Sequence, residues 1–449
     1  MARKKKIEGV TEIDNQQLTA TQLMQKGIGD YITSAYLDFG NYINNHRHLP
    51  EVKDGLKISY RRLIYAASQF PKGKSIPSST LQSSVQNYHP HSITSMNDMS
   101  AELVKARVFT GEGSFGFTSV DGTYNPPASN RYTHTRLSDL YWEIMGDLLK
   151  EVPYVESPQG ALEPEYLPLP LPACLYIGVT QGLGVGISTL IPNFSPKSLY
   201  MAYVKDDPNL LEPNVDLFID KNNSELAKLW NTGKGKVVYS YKISRSTLNN
   251  TDGILFEGDT SIFTPKLAKF SKLIEEGKVF TEDLTDTDGP KLFVGRVPNS
   301  RGCSIDDIEA IARKACYSEV TYNINVTNGK TAFRIPLKDW IDYTYKNYID
   351  LITEVNKKRI ERCKFDIVVQ NSLPIIGDYI NKNPKATDEE ICRDLNLPIE
   401  VVSQVMSKPI SYLRNNKDTS ERVKSLNNRL KELNKFNPIL YTEEVINKL

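Results

Sequence analysis

Two stretches of this chain repeat the same apolar stagger, and together they dictate a large part of its shape. From Asp339 onward, Ile341, Tyr345, Tyr348, Ile352 and Val355 stand 4, 3, 4 and 3 residues apart, and near the other end Val423, Leu426, Leu430 and Leu433 follow at 3, 4 and 3. Alternating steps of three and four keep one stripe of a helix turned toward a partner. Asp418 and Glu421 precede the second stretch at capping-box separation. The spacing predicts a long helix from Asp339, a second one behind Asp418, antiparallel pairing of the two seams, and a small helical segment, about 373 to 415, carried between them. Such a pair either lies down on its own domain or stands off it as a spacer or dimer contact.

The rest of the chain reads differently. Its 449 residues, 39% apolar, suffice for about three domains with real cores. The segment Gln22 to Phe70 reads as two helices, with Tyr36, Phe39, Tyr42 and Ile43 on one face of the first and Leu63, Ile64 and Ala67 on the second. The turn Leu49-Pro50-Glu51-Val52-Lys53-Asp54-Gly55 joins them, as in a helix-turn-helix. Residues 75 to 135 are rich in Ser, Thr, Asn, Gly and His, which suits short helices and exposed loops. From about 165 to 335, runs such as Val237-Val238-Tyr239-Ser240-Tyr241 and Lys291-Leu292-Phe293-Val294 alternate with helical stretches, predicting a mixed α/β domain.

No charged residue occurs from Tyr166 to Pro196, a run long enough to span a bilayer. Pro168, Pro170 and Pro172, followed by Gly178, Gly182, Gly184 and Gly186, deny it a uniform helix, so a membrane reading is set aside. The Arg3-Lys4-Lys5-Lys6 run has no apolar region behind it and is a solvated tail or an arm touching phosphates, not a secretory signal. Five scattered cysteines without a C-x-x-C pair point to ordinary thiols in a reducing, cytoplasmic setting.

The overall charge of +1 neither announces nor excludes a polyanionic partner, but residues 1 to 75 hold 12 basic against 7 acidic side chains, and all five histidines lie between His46 and His134. Several motifs fail on inspection. Thr232-Gly233-Lys234-Gly235-Lys236 lacks the spacing of a phosphate-cradling loop. A calcium loop built on Asp286-Thr287-Asp288-Gly289 would need ligands at Leu284 and Gly295. His89-Pro90-His91 has no Cys or carboxylate nearby at metal-ligand spacing. What remains suits a phosphodiester: Arg47, Lys53, Lys57, Arg61 and Arg62 on or beside the two helices, His89 and His91 in the next loop, then Arg131-Tyr132. A phenol, which titrates near pH 10 when free, can be a covalent nucleophile where positive charge supports its phenolate.

These words, taken in order, carry a resemblance. Leu49-Pro50-Glu51-Val52-Lys53-Asp54-Gly55-Leu56-Lys57 with Arg61-Arg62, Tyr88-His89-Pro90-His91, Gly111-Glu112-Gly113-Ser114-Phe115-Gly116 and Arg131-Tyr132-Thr133 resemble the breakage-reunion subunit of type IIA DNA topoisomerases. That family includes the A subunit of gyrase, its topoisomerase IV counterpart and the medium subunit of tailed-phage topoisomerases. The likeness continues through Gly182 to Thr189 with Ile191-Pro192, Thr232 to Gly235, and Pro336-Leu337-Lys338-Asp339. In length and ending the chain looks most like the phage medium subunit.

The resemblance implies an α+β multidomain chain: an N-terminal arm at 1–27, a winged-helix breakage-reunion (DNA-gate) domain at 28–164, an α/β tower at 165–335, and a coiled-coil arm with a helical dimerisation knob at 336–449. It implies that Tyr132 attacks the scissile phosphate to leave a 5′-phosphotyrosine, with Arg131 and Arg47 stabilising charge on the phosphoryl oxygens. His89 and His91 would act near the cleavage site, Lys57 and Arg61 as backbone contacts, and Leu183 as the wedge between base pairs, with glycines beside it allowing close approach to DNA. Ser92, Glu112-Gly113-Ser114 and Tyr60 depart from the family pattern, and Thr94 and Asp98 match positions where related bacterial enzymes hold quinolones. The resemblance further implies double-stranded DNA and a second copy of the chain as partners. A large Toprim/ATPase subunit would bring both Mg²⁺ and ATP, no metal being held in this chain. Strand passage would then relax or decatenate DNA. An architectural DNA binder that has lost the reaction, and a scaffold whose basic patch is incidental, are the competing readings.

Overall fold

The computed structural model describes residues 28–90, 93–118, 124–178, 181–214, 217–257, 264–285, 291–298, 300, 302–315, 317–409 and 419–449. Helix α1 (Ile28–Ile43) passes directly into a π-helical turn, Asn44–His48, and the Pro- and Gly-marked loop then leads into α2 (Ile58–Ser68). Helices α3 (Ser78–Val85) and α4 (Ile93–Lys105) follow. Strand His134–Leu137 lies between Ile76–Pro77 and Phe109–Glu112 in an antiparallel three-stranded sheet. α2 is the centre of this part: every residue from Tyr60 to Ser68 is buried, among Leu81, Val85, Met96 and Leu103 of α3 and α4. Truncating one such side chain to Ala costs about 2–5 kcal/mol.

The expected two helices and turn are there, but the first helix does not pack as its pattern suggests. Tyr36, Phe39 and Tyr42 are exposed, as are Tyr31, Ile32 and Leu37. α1 is tied to the body at its C-terminal end, where Gly40 comes up against Val185 and Asn44 is buried, and its apolar stripe is left uncovered.

The middle of the chain forms the mixed α/β region expected of it, around one large antiparallel sheet. Its spine is strand Lys234–Leu248, whose first half pairs with Tyr317–Asn323 and whose second half pairs with Thr251–Glu257. Beyond Thr251–Glu257 come Lys291–Arg296 and Val279–Asp283. Beyond Tyr317–Asn323 comes a short hairpin, Gln181–Leu183 with Ser188–Leu190, at the sheet edge. The uncharged run is therefore divided: Leu167 to Ile177 is core, and the glycine-rich remainder is this hairpin. Among the described residues no helix is long and apolar enough to cross a membrane. Asp286 to Gly289 lie outside the described residues.

The long helix runs from Leu337 to Lys382, and the return helix from Ser420 to Lys435. They are antiparallel: Asn356 Nδ2 donates to the Leu433 carbonyl (3.1 Å), and Cys363 Sγ lies 3.4 Å from the Leu426 carbonyl. The return seam is as read, since from Glu421 to Leu433 only Val423, Leu426, Leu430 and Leu433 are half-buried. The first seam is corrected. Ile341, Tyr348, Ile352 and Val355 are buried against the body of the protein, not against the return helix. Tyr348 donates to the Ile144 carbonyl (3.0 Å), Tyr345 packs on Tyr200 and Tyr203, and Trp340 Nε1 donates to the Val52 carbonyl (2.9 Å). A 3-4 stagger specifies a stripe that must be covered, and here the body reaches it first. Asp418 lies outside the described residues, and the return helix starts behind Thr419 without a side-chain cap. A capping box occurs instead at Thr387 and Glu390.

Between the paired helices a second, separate core gathers Val369, Leu373, Ile376, Ile391, Val401, Val402 and Val405. Of the cysteines, Cys174, Cys303, Cys363 and Cys392 are free thiols, and Cys316 lies outside the described residues.

Candidate active site

Tyr132 sits on a loop whose shape is set from three sides. The Tyr132 N–H donates to the Ser129 carbonyl (2.8 Å), closing a turn. Behind it, Asn130 Nδ2 donates to Gln82 Oε1 of α3 (2.6 Å), and Gln82 Nε2 donates to Asn97 Oδ1 of α4 (3.2 Å). In front, Thr133 Oγ1 donates to Ser78 Oγ (2.8 Å), and the Ser78 N–H donates to the Thr133 carbonyl (2.9 Å). The backbone is thus held while Tyr132 is 66% exposed. The Arg131 guanidinium lies 4.8 Å from the centre of its ring and has no carboxylate partner among the described residues.

A second group forms around the π-helical turn. Arg47 is exposed on it and also lacks a carboxylate partner among the described residues. The turn is clamped to the Leu183 hairpin: Asn44 Nδ2 donates to the Val185 carbonyl (2.9 Å) and the Val185 N–H donates back to Asn44 Oδ1 (2.8 Å). Lys57 Nζ donates to the Gln181 carbonyl (2.6 Å) on the same hairpin. A Cβ on Gly182 would stand 2.2 Å from the His48 carbonyl oxygen, and one on Gly184 2.1 Å from Asn44 Oδ1. These glycines are needed for the hairpin to nest on the chain's own turn. Leu183, between them, is 67% exposed, as a wedge must be.

Burial and, after it, Arg62 push the His46 imidazole below its ordinary value. Burial, then Arg47 and Lys57, do the same to His48. Burial also lowers the Lys57 ammonium, against the pull of Glu102.

Several expected contacts are turned inward. Arg61 is not available to a DNA backbone: its Nε donates to Asp54 Oδ2 (2.7 Å) and its Nη2 to Glu51 Oε2 (2.7 Å). Asp54, fully buried, also accepts the Leu56 and Leu167 amides (3.0 Å each). Burial opposes the Arg61 charge, but Asp54 and Glu51 outweigh it. Arg62 is bidentate to Glu163 (2.7 Å twice) and has Nη1 2.9 Å from His89 Nδ1, and His89 itself is buried. Lys53 pairs with Glu165 at 2.6 Å. Of the basic cluster expected to meet a phosphodiester, Arg61, Arg62 and Lys53 thus hold the protein together, and Arg47, Arg131 and part of Lys57 are left for a ligand. His91 lies outside the described residues. Tyr60 donates to Glu102, and Ser75 Oγ donates to Glu112 Oε1 (2.8 Å). No hydrogen bond or ion pair joins the tyrosine loop to the Arg47 turn among the described residues.

Sequence reasoning passed over three residues that matter here. Asn44 clamps the hairpin, and His46 and His48 flank Arg47; the His46-Arg47-His48 run was the available signal. Among the described residues no group of three or more His, Cys, Asp or Glu could hold a metal ion.

Comparison with known proteins adds to this geometry. A family model described as the A subunit of DNA gyrase/topoisomerase IV matches residues 47–449. The DNA gyrase A subunit of Buchnera aphidicola subsp. Acyrthosiphon pisum (strain APS) is 27% identical over 304 residues, covering 61% of this chain and 36% of that protein. Those of Escherichia coli (strain K12) and Thermotoga maritima are 27% and 31% identical over 311 and 246 residues, covering 61% and 49% of this chain and 34% and 30% of those proteins. The chain thus matches about a third of the length of these relatives.

Proposed function

Because the chain belongs to the A-subunit family of DNA gyrase and topoisomerase IV, we propose that it is the DNA-cleaving and religating subunit of a type IIA DNA topoisomerase. The observation that carries this reading is the exposed Tyr132 phenol on a braced loop, with the Arg131 guanidinium against its ring. The phenolic oxygen of Tyr132 bonds to the scissile phosphorus as the bond from phosphorus to the 3′-oxygen breaks. The phenol loses its proton and the departing 3′-oxygen gains one, so a phosphodiester replaces a phosphodiester and religation is the reverse step. Arg131 and Arg47, cations without carboxylate partners among the described residues, offset the charge that develops on the phosphoryl oxygens. Leu183 wedges between base pairs from a hairpin that cannot slide on the Arg47 turn. Lys57, which ties that hairpin down, keeps part of its ammonium for the DNA backbone, and His89 acts through Arg62 beside it.

In this reading residues 28–164 are the winged-helix DNA gate, 165–335 the tower, and 336–449 the coiled-coil arm with its dimerisation knob, with 1–27 an N-terminal arm. Two copies supply two tyrosines for two staggered cuts. A Toprim/ATPase subunit brings Mg²⁺ and ATP in the host-cell cytoplasm, and the assembly relaxes or decatenates DNA. Within the family, the medium subunit of a phage topoisomerase is the type proposed.

The test mixes the chain with its Toprim/ATPase partner, supercoiled plasmid and Mg²⁺, and adds denaturant before deproteinisation. Wild type yields linear DNA with protein on its 5′ ends, and Tyr132→Phe yields none. If both proteins bend DNA and neither becomes covalently attached, an architectural role replaces the cleaving one.

A further inference from the structure

Where the long helix leaves the body of the protein, the packing beside it is incomplete. Ile352, Val355, Asn356 and Arg359 share one face of that helix, and this face lines a cavity of about 490 Å³. The helix Asp139–Met145 and the turn after it line the cavity as well. So do Phe436, just past the return helix, and Tyr441, in the helix Pro438–Lys448 that follows. Small-molecule sites run from roughly 300 to 1,000 Å³, so the volume suits a compact ligand.

The lining has a definite chemistry. Leu148, Ile352 and Val355 are buried and apolar, and the rings of Trp142, Phe436 and Tyr441 are half-buried. Two of those rings have centres 5.4 Å apart, and the Tyr441 hydroxyl donates to the Glu143 carbonyl (3.4 Å). The acids are engaged: Asp147 accepts from Arg359 (3.0 Å), and the Glu143 carboxylate pairs with Lys448. Lys72 and Lys150 also line the cavity, and neither has a carboxylate partner among the described residues. The Trp142 indole is a further open donor. Trp230 Nε1 donates to Asp206 Oδ1 (3.0 Å) and Trp340 Nε1 to the Val52 carbonyl (2.9 Å), whereas Trp142 Nε1 has no acceptor among the described residues. Ammonium and indole groups only donate, so together they call for an acceptor, best an anionic one.

We propose that this cavity is a binding site for a small planar aromatic carboxylate. Its ring system packs among Trp142, Phe436 and Tyr441, and its carboxylate accepts from Lys72, Lys150 and the Trp142 indole N–H. The sign of the charge follows from the lining. Lys72, Lys150 and Arg359 stand against Glu143 and Asp147, three cations against two carboxylates, which leaves one positive charge over. A monoanion answers that excess, and a cation of the same shape is repelled by it. The occupant touches the body and both helices at the root of the arm at once, and so braces one against the other. The proposal does not depend on the cleavage reading.

The experiment uses the full chain labelled with fluorotryptophan, whose fluorine NMR spectrum carries three indole signals, from Trp142, Trp230 and Trp340; a Trp142→Phe spectrum assigns the first. The probe is naphthoate. Its titration moves the Trp142 signal saturably, with half-saturation below about 1 mM, and leaves the signals of the buried Trp230 and Trp340 in place. Naphthylmethylammonium, similar in size and opposite in charge, binds at least about tenfold more weakly. Lys72→Glu/Lys150→Glu changes two exposed side chains, keeps the wild-type melting temperature, and weakens naphthoate binding by at least about tenfold. Lys205→Glu/Lys221→Glu, whose exposed lysines do not line the cavity, binds naphthoate as wild type does. A Trp142 signal that does not saturate below about 1 mM, that responds alike to the two probes, or that responds in Lys72→Glu/Lys150→Glu as in wild type overturns the proposal.

Discussion

Arg61 and Arg131 are the same residue type and play opposite parts. Arg61→Ala strands the fully buried Asp54 without its cation and costs about 3–5 kcal/mol, read as a lowered melting temperature. Arg131→Ala leaves the melting temperature unchanged and lowers the yield of covalent protein–DNA complex by about 10²–10³-fold. If Arg61→Ala melts like wild type and binds DNA weakly, the inward assignment of Arg61 is wrong. The contact of Arg131 with the Tyr132 ring was legible because the two are neighbours in the chain. The inward turn of Arg61 was not, although Asp54 and Glu51 lie in the loop just before α2, because only the fold buries Asp54 and brings it the amide of Leu167, 113 positions away. The glycines flanking Leu183 were visible as glycines, but only the fold says what approaches them. The histidines add a pH signature. The unfolded chain binds protons at His46 and His48 near the ordinary value of 6.5, and the folded chain resists. The unfolded state therefore holds more protons below that value, so stability is full above about pH 6.5 and falls as pH drops toward the depressed values. A melting-temperature profile of wild type against His46→Gln/His48→Gln checks it: the double variant loses less on acidification.

At the scale of elements, the long helix serves two purposes in succession. Its first seam is core, and its later turns face the return helix. Ile352→Ala removes a side chain only 4% exposed and is expected to cost about 2–5 kcal/mol in denaturant unfolding. Leu430→Ala, on the half-buried return seam, costs about 1 kcal/mol. Equal effects argue for one continuous seam along both helices and against the division described. Both helices were legible from their period, since a stagger of three and four admits little else. What covers each stripe was not, because periodicity counts residues along one helix and is silent about which neighbour arrives. The exposed stripe of α1 makes the same point: it has the pattern of a packed face and no packing.

For the whole molecule, the separate core around Val369 to Val405 is the candidate contact between copies. Ile375 and Ile399 are exposed there, at 52% and 47%, beside a core that is complete without them. Ile375→Glu/Ile399→Glu is expected to shift sedimentation toward monomer at about micromolar concentration while the melting temperature holds. An unchanged dimer places the contact elsewhere. The mutual anchoring of the parts was not legible in the sequence, since it runs through bonds such as Trp340 to Val52 that join residues 288 positions apart.

That anchoring has a mechanical corollary. At about 1.5 Å per residue the long helix is about 70 Å in length, and its buried stretch from Leu337 to Val355 accounts for roughly 28 Å of it. A beam set into its wall for that fraction of its span behaves as a cantilever, not as a hinged strut. The far end moves either by gentle curvature of the turns past Asn356, which pack on the return helix, or by carrying the whole wall with it, and the wall includes the Val52 loop that follows Arg47. Any displacement of the far end beyond what the helix can absorb by bending is therefore felt as torque at the turn that carries Arg47.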